Sequence, residues 1–443
     1  VLVAAIAASS MSYIDGTALT VALPAIKANL HAGDAQAQWI VEGYLLPVSA
    51  LILLGGALGD RYGRRRLFSL GTWIFTLSSV ACGIAAGAEA LIAMRCVQGV
   101  GAALMIPESL ALITASYGGR DRGRAIGMWA AASAITMALG PVLGGWLTQT
   151  LSWRWVFWIN IPLAVVVLAL AYLRIPESRG RADRGRLDVL GSACVTLALG
   201  GIVAALVHMQ VRLDDPADFA LLGAGLALLV LFVFVERRAA APIVPLRLFA
   251  SSAFKVASVY TFLLYAALGG TLFFVPFELQ RVMLYTPLAA GLALLPTIAL
   301  IAALSPLAGM LAARTGARLP LVLGAGLAAL GFALFARLGA GESYVWAVFP
   351  ATVVVGAGLG IAITPLVGAV MGAADADDTG AASGINNAIS RVGNLVAIAL
   401  FGVVISASGA GALPTAAHPD GFQHAMLAAG MLALIAAVLG GFF

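Results

Sequence analysis

Charge is scarce in this chain. Only 10% of its 443 residues are Asp, Glu, Lys or Arg, while 62% are hydrophobic and the mean hydropathy is +1.02. Soluble domains carry roughly 25% charged and about 45–50% apolar residues, so no water-soluble fold hides this much apolar surface, and lipid is the natural solvent. Cysteine is scarce too. Cys82, Cys96 and Cys194 each fall inside an apolar run, which excludes a secreted disulfide framework, and no CxxC spacing points to a metal. The four histidines are scattered near the ends of apolar runs. No polar stretch is long enough for an extramembrane domain, and no nucleophile motif, phosphate loop or metal-ligand cluster stands out. An enzyme and a cofactor are therefore not expected. Nothing alternates with the period of two that a barrel strand needs.

What the chain has instead is fourteen apolar runs, near 1–25, 37–59, 67–87, 90–117, 124–149, 155–174, 187–209, 218–236, 254–280, 287–313, 318–338, 344–371, 379–407 and 421–443. Most can cross ~30 Å of hydrocarbon as helices rising ~1.5 Å per residue. They must be helices, because lipid offers the backbone no hydrogen-bond partner. The basic residues set an orientation. If the N-terminus is cytoplasmic, 18 of the 25 Lys and Arg fall on cytoplasmic loops and 5 on the opposite side, with Arg95 and Arg391 inside spans. That bias fits the positive-inside rule with an even number of spans. It also explains the formal charge of +5 through anionic lipid, without nucleic acid.

The runs are organised in halves. The first six end at RIPESRGRADRGR (174–186), the last six begin after ERRAAAPIVPLRLFASSAFK (236–255), and two lie between. The expected division is a six-helix bundle over 1–174, a linker with two extra helices over 175–253, and a second six-helix bundle over 254–443. The loop GDRYGRRR after the second span has a faded counterpart, AARTGARL, after the tenth. Parallel repeats of this kind suggest two bundles rocking around a central site.

The loop GALGDRYGRRR (56–66) is the most specific signal. Gly59 and Gly63 allow a tight turn between close-packed helices. Asp60 can accept from a helix N-terminus, and Arg61, Arg64 and Arg65 can hold acidic groups or lipid phosphates. The loop resembles the signature loop of the major facilitator superfamily, which implies a cytoplasmic latch between bundles; the plainer reading is a solvated basic turn. LIAMRCVQGVGAA (91–103) resembles that family's fourth-span motif, whose arginine is associated with proton coupling. A buried Arg95 needs a partner, unless it snorkels to the headgroups. ALGPVLGGWL (138–147) resembles the antiporter motif, with Gly140, Pro141, Gly144 and Gly145 intact and Thr136 where the family has an earlier glycine. Proline bends a helix and glycines permit close approach, so the run reads as a hinge or as simple packing. SYIDGTALTVALP (12–24), WIVEGYLL (39–46) and TGAASGINNAISRVGN (379–394) resemble motifs of the fourteen-helix drug:proton antiporter branch, though Glu42 replaces a small polar residue.

Four acids lie within spans: Asp15, Glu42, Glu108 and Glu278. Each is expensive in lipid and is a functional candidate for that reason. Asp15 falls near mid-membrane in span 1, and spans 1 and 4 line the cavity in proteins of this family. Asp15 is therefore expected to carry the coupling proton and Arg95 to tune it; a structural hydrogen bond is the alternative. Glu108 is 13 residues from Arg95, about 140° around an ideal helix, so it should face elsewhere unless Pro107 bends the span. Glu42 suits headgroup contact as well as function, and Glu278 suits an interfacial ion pair beside Arg281. Asn387, Ser390, Arg391 and Asn394 form a polar stripe in span 13 that packs between helices or lines the cavity, and Arg391, too deep for easy snorkelling, is a further candidate for proton coupling or substrate binding. Asp378, with Asp375 and Asp377, precedes that span and is a natural partner for the arginines of 61–66 in a closed gate. Trp129, Tyr265, Phe273, Phe274 and Phe277 read as cavity lining or as packing.

The sequence thus describes an all-α integral membrane protein of the major facilitator type with fourteen transmembrane helices. The resemblance implies a monomeric, multi-pass inner-membrane antiporter driven by protons. It would export lipophilic small molecules, cationic ones among them, with lipid and a small-molecule substrate as its partners. A dedicated exporter of one metabolite or lipid-like compound is the nearest rival; a channel or membrane-embedded enzyme is remoter.

Overall fold

The computed structural model describes residues 1–179, 188–211, 214–239, 242, 244–374, 379–408, 413–414 and 419–443. Every apolar run marked in the sequence coincides with a helix, and no strand occurs among the described residues. The helices are α1 (Leu2–Leu30), α2 (Asp34–Tyr62), α3 (Arg64–Gly83), α4 (Ala88–Ser116), α5 (Gly119–Thr150), α6 (Trp155–Trp158), α7 (Asn160–Arg174), α8 (Val189–Met209) and α9 (Pro216–Arg238). They continue as α10 (Ser252–Phe277), α11 (Pro287–Ala293), α12 (Leu295–Thr315), α13 (Arg318–Phe335), α14 (Phe349–Gly372), α15 (Thr379–Ser406) and α16 (Pro419–Gly440).

Among the described residues, twelve helices are long and apolar enough to cross a membrane, two fewer than the fourteen spans expected. The difference falls on α3 and α5. Both are helical, of 20 and 32 residues. α3 opens on Arg64, Arg65 and Arg66 and carries five Ser or Thr, which dilute its hydropathy; α5 keeps an uncharged apolar stretch over 125–142, in which the side chains at 130, 131, 134 and 138 lie outside the described residues.

The chain divides into two compact units, residues 1–200 with 225–243 and residues 201–224 with 244–443. In the first, α4 lies against both α2 and α3, and small residues make that possible. A Cβ on Gly99 would sit 2.5 Å from the Tyr44 carbonyl oxygen of α2, and one on Gly101 would sit 2.5 Å from the Phe75 amide of α3. In lipid, helices associate through such close backbone approach rather than through a hydrophobic driving force. Tyr44, Phe68, Phe75 and Met105 fill the space around this contact. Hydroxyls in the helices bond back one turn, as Thr72 to the Phe68 carbonyl (2.8 Å) and Thr76 to the Thr72 carbonyl (2.7 Å), so they cost little in an apolar medium.

The second unit repeats the principle. A Cβ on Gly358 of α14 would lie 2.3 Å from the Ala328 amide of α13, and Tyr260 of α10 donates to the Leu321 carbonyl at 2.8 Å. Large apolar side chains are exposed in both units, among them Phe219 in the second and Leu226, Val230 and Phe234 of α9 in the first. Lipid accommodates such a surface, whereas water does not.

Candidate functional site

α1 brings Asp15, and α4 brings Arg95 and Gln98, into a polar cluster sealed inside the first unit; all three are fully buried. Arg95 Nη1 donates to Asp15 Oδ2 (2.5 Å) and to Gln98 Oε1 (2.7 Å), and Gln98 Nε2 donates to Asp15 Oδ1 (2.9 Å). The three side chains close a ring in which each carboxylate oxygen has its own donor. Arg95 Nε donates to the Ile40 carbonyl of α2 (3.0 Å), and its guanidinium carbon stands 4.3 Å from the centre of the Tyr44 ring. Cation–π contact and charge-assisted hydrogen bonds together offset the loss of water around a buried guanidinium. Arg95 is thus paired, not snorkelling. The network runs on: Gln98 Nε2 reaches Ser79 Oγ of α3 (3.2 Å), which accepts from Asn160 Nδ2 of α7 (3.0 Å) and donates to the Phe157 carbonyl (2.9 Å). One polar chain therefore ties α1, α2, α3, α4 and α7.

Directly after Asp15, α1 meets the glycine run of α5. A Cβ on Gly140 would overlap Thr17 Oγ1, and one on Gly144 would lie 2.4 Å from the Ala18 carbonyl oxygen. Pro141 and Gly145 are buried beside them. Further along, Thr136 is bonded to Ser10 Oγ (3.0 Å), and Trp129 Nε1 donates to Ser9 Oγ (2.9 Å). The residue that replaces the family's earlier glycine thus serves as a polar tie between the same two helices, and Trp129 packs between helices.

The loop 59–66 is built differently from expectation. Gly63 has φ 119°, in the region that favours glycine, and turns the chain from α2 into α3. Asp60 accepts from Arg64 Nη2 (2.8 Å) and Nε (3.0 Å), one turn away. The anion at a helix N-terminus is Glu177, just beyond α7: its Oε1 accepts from the Arg65 amide (3.0 Å), while the Ser178 carbonyl accepts from the Arg64 amide (2.8 Å). Gly63 has no side chain to cap α3, so Glu177 and Ser178 cap it from outside. Arg65 and Arg66 lie 3.9 and 3.7 Å from the same carboxylate, while Arg61 rests over the Tyr62 ring. Asp378, the expected partner of these arginines, lies outside the described residues, as do Asp375 and Asp377.

Glu108 points away from Arg95, as the helical angle requires. It is 1% exposed, and its carboxylate fills the space where Gly59 lacks a side chain: a Cβ there would be 2.1 Å from Oε1. Neither oxygen has a hydrogen-bond partner, and the same holds for fully buried Glu42. In the second unit Glu278 is 1% exposed at the start of a π-helical turn, and Oε1 is unpartnered; it forms no ion pair with Arg281. Among the described residues Arg391 of α15 forms no hydrogen bond or ion pair, and its Nε is buried. Phe273, Phe274 and Phe277 are buried against one another, with centroids of the first pair 4.7 Å apart, and so fill a core.

Within the first unit the structure joins Asp15 to Arg95 and leaves Glu42 and Glu108 out of that pair; in the second unit Glu278 and Arg391 do not meet. Sequence reasoning passed over Gln98, Ser79, Asn160 and Glu177. Gln98 carried a signal, since it is one turn from Arg95 in an otherwise apolar run. Glu177 was hidden in a stretch read only for its arginines.

A family model described as Major Facilitator Superfamily matches residues 5–398. The multidrug resistance protein Stp of Mycobacterium tuberculosis is 34% identical over 90% of this chain and 74% of its own length. The puromycin resistance protein pur8 of Streptomyces alboniger is 33% identical over 96% of this chain and 86% of its own. Among solved structures, the peptide transporter POT superposes with TM-score 0.71 at 16% identity, over 99% of this chain and 92% of that one.

Proposed function

This chain belongs to the major facilitator superfamily, and from that premise we propose that it is a proton-coupled antiporter for multidrug efflux. It exports lipophilic small molecules, cationic ones among them, by alternating access. Its class is transporter, not enzyme, and it is a multi-pass membrane protein. The resistance and efflux names of its relatives support the substrate class, and the family supports the proton.

The observation that carries the mechanism is the closed ring of Asp15, Arg95 and Gln98. A carboxylate in lipid is costly unless paired, and here its pair is designed to survive its loss. When Asp15 takes a proton, Arg95 still has the Gln98 and Ile40 oxygens and the Tyr44 face. Asp15 can therefore alternate between charged and neutral while the guanidinium stays placed. The ring bridges α1 and α4, and α1 continues into its contact with Gly140 and Gly144, so a change of charge at Asp15 arises next to the helix pair read as the hinge. The proton is the only coupling agent this reading requires, and it needs no cofactor.

On the same reading α3 and α5 cross the membrane as well. Their 20 and 32 residues span ~30 and ~48 Å, and with them the count is fourteen: bundles over 1–174 and 254–443, with 175–253 as linker and two extra helices. The bias of Arg and Lys supports a cytoplasmic N-terminus. The protein works as a monomer in the inner membrane.

The test is transport in proteoliposomes under an imposed pH gradient with a panel of lipophilic dyes. Wild type should move several dyes and Asp15→Asn should lose the gradient's drive. A mutant that couples normally would make Asp15 structural. A second reading, a dedicated exporter, is favoured by relatives named for a single compound, such as the puromycin resistance protein. It predicts that one dye class or none is moved.

A further inference from the structure

The two intramembrane arginines are in opposite circumstances. Arg95 is enclosed by a carboxylate, an amide, a carbonyl and an aromatic face. Arg391 has its Nε buried with no acceptor, and it makes no hydrogen bond or ion pair among the described residues. It lies ~18 Å from one end of α15 and ~22 Å from the other at 1.5 Å per residue, too deep to reach headgroups.

Among the described residues no carboxylate pairs with it. α10 and α15 run parallel, since Thr261 is bonded to Asn386 (2.7 Å) and Gly269 abuts Asn394. Glu278 is nine residues beyond Gly269, and Arg391 is three residues before Asn394, so the two charges are ~18 Å apart along the helices. Of the other described helices of this unit, α11 to α15 contain no Asp or Glu, α16 has Asp420 at its first turn, and the start of α9 has Asp218, which lies 3.6 Å from His208. Beside Arg391, one turn on, Asn394 Oδ1 is also buried without a partner.

A guanidinium at this depth is costly without a partner, and its planar fork matches a carboxylate. We propose that Arg391 binds an acid group of the transported molecule, so that lipophilic carboxylates belong to the substrate range alongside neutral and cationic compounds. The assignment rests on the export reading for the word transported, but binding can be tested without it.

The experiment measures binding of radiolabelled pyrenebutyrate and of its methyl ester to purified protein in phosphatidylcholine nanodiscs. Wild type should prefer the acid about tenfold. Arg391→Gln should erase that preference while ester binding stays constant, which also shows that the variant is folded; Arg391→Met serves if R391Q cannot be purified. Equal acid binding by wild type and both variants overturns the proposal. So does loss of acid and ester binding together, the mark of a structural role. Repeating the assay in phosphatidylglycerol separates the sources of anion: if that lipid abolishes the preference, Arg391 holds a lipid phosphate and the substrate assignment fails. Ethidium transport under a pH gradient, run on the same proteins, tests the export reading separately. Ethidium pumped by wild type and R391Q alike, with pyrenebutyrate bound equally by both, sinks only the Arg391 proposal. Ethidium left unmoved by wild type counts against multidrug export while the binding comparison still decides Arg391.

Discussion

Asp15 and Arg95, 80 residues apart in the chain, meet at 2.5 Å, and Gln98 bonds to both. This relationship makes the coupling hypothesis testable as a pair. Asp15→Asn keeps the shape and removes the charge, and leaving one member of a buried pair alone costs roughly 3–5 kcal/mol. The thermal midpoint in detergent should fall and gradient-driven transport should vanish. Arg95→Gln should cost a similar amount. The double variant should regain much of the stability and none of the coupling. Strictly additive losses in stability would mean that the two residues act independently.

The glycines of the first unit should fail in different ways. At Gly101 a new Cβ meets the backbone of α3, which cannot step aside, whereas at Gly59 it meets the end of one side chain, Glu108. Overpacking costs about 1–3 kcal/mol. Gly101→Ala should be the more damaging, and Glu108→Ala should rescue Gly59→Ala but not Gly101→Ala. Thermal stability and expression of the single and paired variants decide this; rescue of both or of neither refutes the packing argument.

Glu177 should matter as a cap more than as a charge partner of exposed arginines. Glu177→Ala removes the acceptor for the Arg65 amide and should destabilise by about 1 kcal/mol. Glu177→Gln keeps an acceptor and should lose less. Limited proteolysis around 174–179 and thermal shift report the difference. Equal loss in both variants would show that charge, not capping, fixes this segment.

Thr136 should contribute little. A double-mutant cycle of Ser10→Ala and Thr136→Ala should give a coupling near 0.6 kcal/mol, about the average for interhelical hydrogen bonds in membranes. Transport should persist. A loss of coupled transport in Thr136→Ala would instead place this tie within the working hinge.

By itself the sequence determined the solvent, the secondary structure and the family. An apolar fraction of 62% and runs near twenty residues long are local properties, and in lipid only a helix satisfies the backbone. The glycine, proline and arginine motifs were legible because their spacing is local too. Span number was less legible at α3, whose arginines and hydroxyls make its hydropathy ambiguous. Partnership was decided by the tertiary structure. Nothing in the sequence of α1 says that Asp15 will bond to Gln98 as well as Arg95, that Glu108 will fill the hollow of Gly59, or that Glu177 will cap α3 across 112 residues. Those choices depend on the rotation and depth at which helices pack, and backbone contact at a few glycines sets both.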